Sequence, residues 1–268
     1  MRKRSILIVG SAVAATAAIA ASVAIAGPVG APVSAPDGNS QAIGAVIGPS
    51  KLYKKTFTPG SLEVTTQLTT SSPSGFPSPT THVVIDFDKN AKVFSKGVPT
   101  CDAALLQNTS TEVALQKCGN AKIGSGTGQA EINLGGRLVP APATVTAFNG
   151  RPTGGKTTVL LHTYATTPVQ TTLVLTGVVS NYNKEGYGPR LDVEVPLIAG
   201  GAGALTDFNV KISKKYKYKG EPVSFISAKC PASKKLKVRS VFTFLDGQTS
   251  NPVYTQKCSQ KPEPKTKK

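Results

Sequence analysis

Across residues 61–70 apolar and polar side chains alternate, with Leu62, Val64, Thr66 and Leu68 on one side and Glu63, Thr65 and Gln67 on the other. A period of two is what a strand with one covered face requires. The alternation returns at residues 82–88, where Val83, Ile85 and Phe87 point one way, and at 129–134, where Ala130, Ile132 and Leu134 do. It returns again with Leu191, Val193, Val195 and Leu197, with Phe208, Val210 and Ile212, and with Phe242 and Phe244 within 236–245. Residues 144–148 and 157–164 read as two arms of a hairpin, and the β-branched run 171–180 as a central strand. Clusters of proline and glycine, as at 71–79 and 124–128, separate these runs and mark turns or bends. About ten strands with frequent turns predict a mainly β chain, an antiparallel β-sandwich or jelly-roll-like arrangement rather than a βαβ fold.

One stretch breaks the pattern. Residues 100–119 lack the period of two and predict a short helical insert. Thr109-Ser110-Thr111-Glu112 has the form of a capping box, with Thr109 as the cap and Glu112 reaching back. Gly119 suits the left-handed conformation that ends a helix. Cys101 and Cys118 bracket the stretch.

The N-terminus sets the compartment. Met1-Arg2-Lys3-Arg4 is cationic, residues 5–26 are rich in Ala, Val and Ile, and Ala24-Ile25-Ala26 supplies the small residues of a cleavage site. Residues 1–26 are therefore expected to be a secretory signal peptide, cut after Ala26. The competing reading is an uncleaved anchor, since the apolar run is long enough to span a bilayer. Residues 27–50 are expected to be a flexible lead-in, 51–258 the β-sandwich domain and 259–268 a disordered basic tail. Lys96-Gly97-Val98-Pro99 and Lys219-Gly220-Glu221-Pro222 each follow a strand and precede a cysteine, an echo compatible with two similar halves.

Export changes the meaning of the four cysteines, which outside the cytosol are expected to pair. Of the three possible pairings the expected one is sequence-local, Cys101–Cys118 and Cys230–Cys258. The formal charge is +17, and loss of Arg2, Lys3 and Arg4 would leave +14. Such a charge favours anionic partners: nucleic acid, a cell-wall polymer or other polyanion, or an anionic lipid surface.

Candidate chemistry is sparse. Gly150-Arg151-Pro152-Thr153-Gly154-Gly155-Lys156-Thr157 matches the phosphate-binding loop, but residues 158–164 read as a strand where that loop needs a helix. A hairpin turn is expected there, and no nucleotide. His82, Asp86 and Asp88 share a strand face, as do Asp192 and Glu194, and alternation alone produces both on a solvated outer face. With His162 they are the candidates for a hydrolase. No nucleophile elbow, zinc-protease motif or C-x-x-C occurs, so no catalytic residue, metal or cofactor is expected. The best binding candidate is a basic and aromatic run: Lys211, Lys214, Lys215, Tyr216, Lys217, Tyr218 and Lys219. Extended, it would place both tyrosines on one face, either to stack on a polyanion or to pack inward behind a lysine-guarded edge.

Several runs resemble a pattern in uncharacterised exported proteins of actinobacteria. They are the run 94–101 from Phe94 to Cys101, Leu105-Leu106-Gln107-Asn108-Thr109, Lys117-Cys118-Gly119 and Gly124-Ser125-Gly126. Lys229-Cys230-Pro231, the run 242–247 and Cys258 are similar to the C-terminal part of that pattern. The resemblance implies an exported, disulfide-bonded β protein and no activity. The expected function is a non-enzymatic cell-envelope or extracellular protein that binds an anionic surface or polymer. The alternatives are a secreted hydrolase using carboxylates or histidine, and a purely structural surface protein.

Overall fold

The computed structural model describes residues 27–264, so the expected signal peptide lies outside the described residues. The chain is mainly β and antiparallel, as expected. Its long strands are β1 (Asn39–Gly48), β2 (Thr58–Thr70), β3 (Thr80–Asp88), β4 (Lys122–Leu134) and β5 (Arg137–Thr153). They continue with β6 (Lys156–Ala165), β7 (Thr171–Asn181), β8 (Tyr187–Glu194), β9 (Gly203–Ile212) and β10 (Lys235–Phe244). In space they follow the order β1-β2-β9-β4-β5-β6-β7-β8-β3-β10 within one 15-stranded sheet. Strands from the first and second halves of the chain therefore interleave. The sheet is rolled until its two edges nearly meet, a sandwich drawn round into a barrel.

The seam is made by side chains. The short strand Val253–Lys257 pairs with β10 and lies beside β1. There Gln256 brackets one residue of β1: the Ile47 N–H donates to its Oε1 at 2.7 Å, and its Nε2 donates to the Ile47 carbonyl at 2.8 Å. Further along, the Ser250 hydroxyl donates to the Val33 carbonyl at 2.6 Å. One amide thus replaces a ladder of main-chain bonds. Gln256→Ala would strand a donor and an acceptor that are partly buried, each lost bond leaving a desolvation cost. We expect the variant to lose about 2 kcal/mol of unfolding free energy in urea titration.

The lead-in expected at 27–50 is instead an integral strand. Residues 39–48 form β1, with Ile43 fully buried and Ala45 and Ile47 in the main core. It shows no alternation because both of its faces are covered. Residue Gly44 does not supply flexibility. A Cβ there would lie 1.8 Å from the Pro28 carbonyl oxygen, so the crossing of the preceding segment needs a bare backbone. The tail also departs from expectation over its described part. Ser259–Lys261 pairs in parallel with Lys51–Tyr53, and the Glu263 carboxylate accepts from the Lys55 and Thr56 N–H groups.

Both expected disulfides are present, Cys101–Cys118 and Cys230–Cys258. The first brackets α1 (Thr111–Cys118), which packs on the outside of β5 and β6 through Leu106, Ala114, Phe148 and Leu160. Its cap is one residue later than expected: the Ser110 hydroxyl accepts from the Val113 N–H. Thr109 turns inward and donates to the Leu106 carbonyl. Gly119 stays right-handed, because the chain continues into a short 3-10 turn, Gly119–Ala121. No helix among the described residues is long and apolar enough to cross a membrane.

Candidate functional site

The alternation that made the strands also made a lumen. Inward side chains of β2, β3, β6, β7, β8 and β9 enclose a cavity of about 140 Å³, its wall built from residues such as Val64, Ile85, Leu161, Leu175, Val193 and Phe208. A second cavity of about 290 Å³ adjoins it toward one end of the barrel and shares Leu175, Val195, Leu205 and Phe208 with the first. Together they reach the size of a small-molecule site, roughly 300–1,000 Å³. Neither is lined by a charged residue. Space exists here because β4, β5 and β6 place small residues inward: Gly128, Ala130, Ala141, Ala143 and Ala165. A few polar side chains interrupt the wall, Gln41, Thr66 and Thr80 in the first cavity and Thr163, Thr167 and Thr171 in the second. The Thr163 hydroxyl is buried and has no hydrogen-bond partner among the described residues.

The two ends differ in chemistry. At the end where the second cavity lies, the connections 71–79, 166–170 and 195–202 carry no charge. Large apolar side chains stand exposed there: Val169 at 70 % and Leu134 at 54 %, with Leu197 and Leu245. At the opposite end the turns are lysine-rich. A cleft of about 820 Å³ lies there, lined by Lys89, Lys92, Lys156, Lys184 and Arg190 and by no carboxylate. Val93, Val179 and Pro189 line both this cleft and the first cavity, so the basic cleft sits directly on the apolar lumen.

The loop that matches a phosphate-binding pattern is the β5–β6 turn. Thr153 pairs with Lys156, and Gly154 and Gly155 both take positive φ, at 56° and 74°. That is the geometry of a two-residue hairpin turn. No helix follows, as expected, yet its Lys156 faces the cleft.

The basic and aromatic run forms a small hairpin at the same end, Lys215–Tyr218 against Glu221–Ser224. Its tyrosines are committed inward. The Tyr216 hydroxyl donates to the Phe94 carbonyl at 2.8 Å, its ring lies parallel to Phe94, and Tyr218 meets Phe94 edge-on. Lys215, Lys217 and Lys219 stay exposed, while Lys211 leans toward Glu63 at 3.7 Å. The run offers charge to a partner but no free stacking face.

The hydrolase candidates fall into three groups. On the outer face His82 meets Asp192 at 2.8 Å and Glu194 at 3.8 Å, across β3 and β8. None of these three lines the lumen or the basic cleft. Asp86 is not on a solvated face. Its side chain is 4 % exposed and accepts from Arg190 at 2.6 and 2.9 Å and from Arg239 at 2.9 Å. Burial pushes its carboxyl up, but the two guanidinium groups outweigh burial and hold it below the usual carboxylate range. Asp88, also buried, accepts from the Asn90 N–H, the Asn90 amide and the Lys237 N–H.

His162 is fully buried beneath the helical insert. Its Nε2 donates to the Thr109 carbonyl at 3.0 Å, while Nδ1 has no partner among the described residues. Burial pushes its pKa below 6.5. The unfolded chain takes up this proton below about pH 6.5 and the folded chain does not until lower pH, so stability falls as pH falls through that window. We expect urea midpoints to drop between pH 7.5 and pH 5.0. His162→Gln should flatten the drop, and an unchanged slope in the variant would assign it to other groups.

The residues that sequence reasoning missed are the cleft lysines Lys89, Lys92 and Lys184, and Lys156 was seen only as part of a hairpin turn. They come from separate turns and strand ends, and no local pattern links them. Comparison with known proteins finds no matching family model, no matching curated protein and no matching solved structure.

Proposed function

We propose that this is an exported, non-enzymatic binding protein of the cell envelope or its surroundings, which holds an apolar ligand inside its barrel. The observation that carries the reading is the uncharged lumen, two adjoining cavities walled by aliphatic and aromatic side chains. A barrel of about eight strands either fills its interior with its own side chains or holds one small ligand. Here small inward residues leave space, and apolar space excludes water in favour of apolar guests. The hydrolase reading draws less support, because His82, Asp192 and Glu194 gather on an open face instead of in a cavity.

A lumen-filling variant tests the proposal. A Cβ on Gly128 would sit in ordinary contact, 3.6 Å from Leu205 and 3.8 Å from Val145, so a larger side chain there projects into the second cavity. The purified protein is expected to bind the neutral apolar fluorophore N-phenyl-1-naphthylamine. Gly128→Phe should weaken that binding at least about tenfold, or 1.4 kcal/mol, while the melting transition stays cooperative. Equal binding by the two proteins would rule out the lumen as the site.

A further inference from the structure

We infer that the ligand is a single-chain amphiphile with an anionic head, its chain in the lumen and its head in the basic cleft. The inference rests on the lumen reading and adds the head group. Three observations carry it.

The first is adjacency. Val93, Val179 and Pro189 form part of the lumen wall and part of the cleft wall at once. The aliphatic wall of the lumen and the lysine-lined wall of the cleft therefore adjoin at these three residues.

The second is uncompensated charge. Lys89, Lys92, Lys156 and Lys184 form no ion pair with any carboxylate among the described residues. The nearby carboxylates are already engaged. Asp86 is held by Arg190 and Arg239, Glu185 by Arg239, and Asp88 by backbone and amide donors. The cleft thus offers cations without internal anions, and cations focused in a concave site favour an anionic guest.

The third is contrast with the opposite end. There the lumen opens among Pro168, Val169 and Leu134, and no charged group lines that cavity. The polar groups lining that cavity are hydroxyls such as that of Thr163, with no cation among them, whereas the cleft at the basic end is lined by several. The two ends fix the direction in which an amphiphile lies.

The chemistry recognised is an anionic head on an apolar chain, and carboxylate and phosphate heads both satisfy it. The experiment uses the full mature protein with hexadecyl phosphate, palmitate and hexadecanol as probes, each titrated by displacement of the neutral fluorophore. The two anionic probes are expected to bind at least about tenfold more tightly than the alcohol at low salt, and added salt should narrow the gap. The variant combining Lys92→Glu, Lys156→Glu and Lys184→Glu changes only exposed side chains. It should weaken hexadecyl phosphate and palmitate by about tenfold or more and leave hexadecanol within about twofold.

Preference for phosphate over palmitate, or the reverse, identifies the head and supports the inference in either case. Equal binding of all three probes, with no effect of the triple variant, would overturn the head-group assignment and leave the lumen reading standing. Equal loss of alcohol and anions in the variant would also overturn it. Displacement by none of the probes would overturn both.

Discussion

Replacing Cys230 and Cys258 together by alanine is expected to cost about 3.5 kcal/mol of unfolding free energy, from the loop-entropy cost of a bridge spanning 28 residues. The bridge joins two buried residues. Cys230 follows the segment Ile226–Ala228, which pairs with β2, and Cys258 directly follows the strand that carries Gln256. The link therefore does more than shorten the unfolded chain. It anchors the strand that closes the barrel. Two measurements check this. Urea unfolding gives the size of the loss, and hydrogen exchange shows where protection fades. The fading should concentrate around residues 253–257 and the facing part of β1. Removing Cys101 and Cys118, which span 17 residues, is expected to cost about 3 kcal/mol by the same rule. That loss should loosen the helical insert and leave the seam protected. If both variants lost protection at the insert alone, the anchoring role of the second bridge would be wrong.

Asp86→Ala is expected to cost about 3 kcal/mol, at the lower end of the range for breaking a buried ion pair. Two arginines on neighbouring strands share this one carboxylate. Arg190 also lies over the Tyr182 ring at 3.9 Å, and Arg239 over the Tyr187 ring at 4.5 Å. Without the carboxylate the guanidinium groups repel across half-exposed positions, and swinging toward water relieves part of the cost. That relief is the reason for the lower figure. The stability from Asp86 is fully present above the ordinary carboxylate range near pH 3.8 and is lost as pH falls through its lowered folded value. Asp86→Asn should remove most of that acid-range dependence. A loss below about 0.5 kcal/mol in Asp86→Ala would place the triad with ordinary surface pairs.

Much of the architecture was legible because one face of most strands is covered and the other is wet. Leu62, Val64 and Leu68 are buried, as the alternation requires, and Ile85 and Phe87 likewise. The strand β1 was not legible for the opposite reason. Covered on both faces, it carries small apolar residues at successive positions, and Gly44 looked like slack when it marks a close crossing. Asp86 was misplaced by the same rule of alternation. Its position correctly puts it on the outer side of β3, but rings and guanidinium groups from neighbouring strands cover it there.

The lumen was half legible. An inward Val or Leu is written the same way whether it touches the opposite wall or faces open space. Only the small residues of β4, β5 and β6 hint at room, and their meaning depends on the barrel's girth. Of the basic cleft only the 153–156 turn drew notice, as a hairpin, and not the cleft it joins. The turns 88–91, 153–156 and 181–187 lie far apart in sequence and meet only because antiparallel strands return them to one end. The basic and aromatic run drew attention first, being local, yet its rings are spent on Phe94.

The separation of lysine-rich turns from uncharged turns gives the molecule a long electric axis. In the field of a negatively charged bilayer or polymer such a body does not tumble freely at close range but experiences a torque. A polyanionic surface would meet Lys89, Lys92, Lys156 and Lys184 first, with Val169 and Leu134 at the far end.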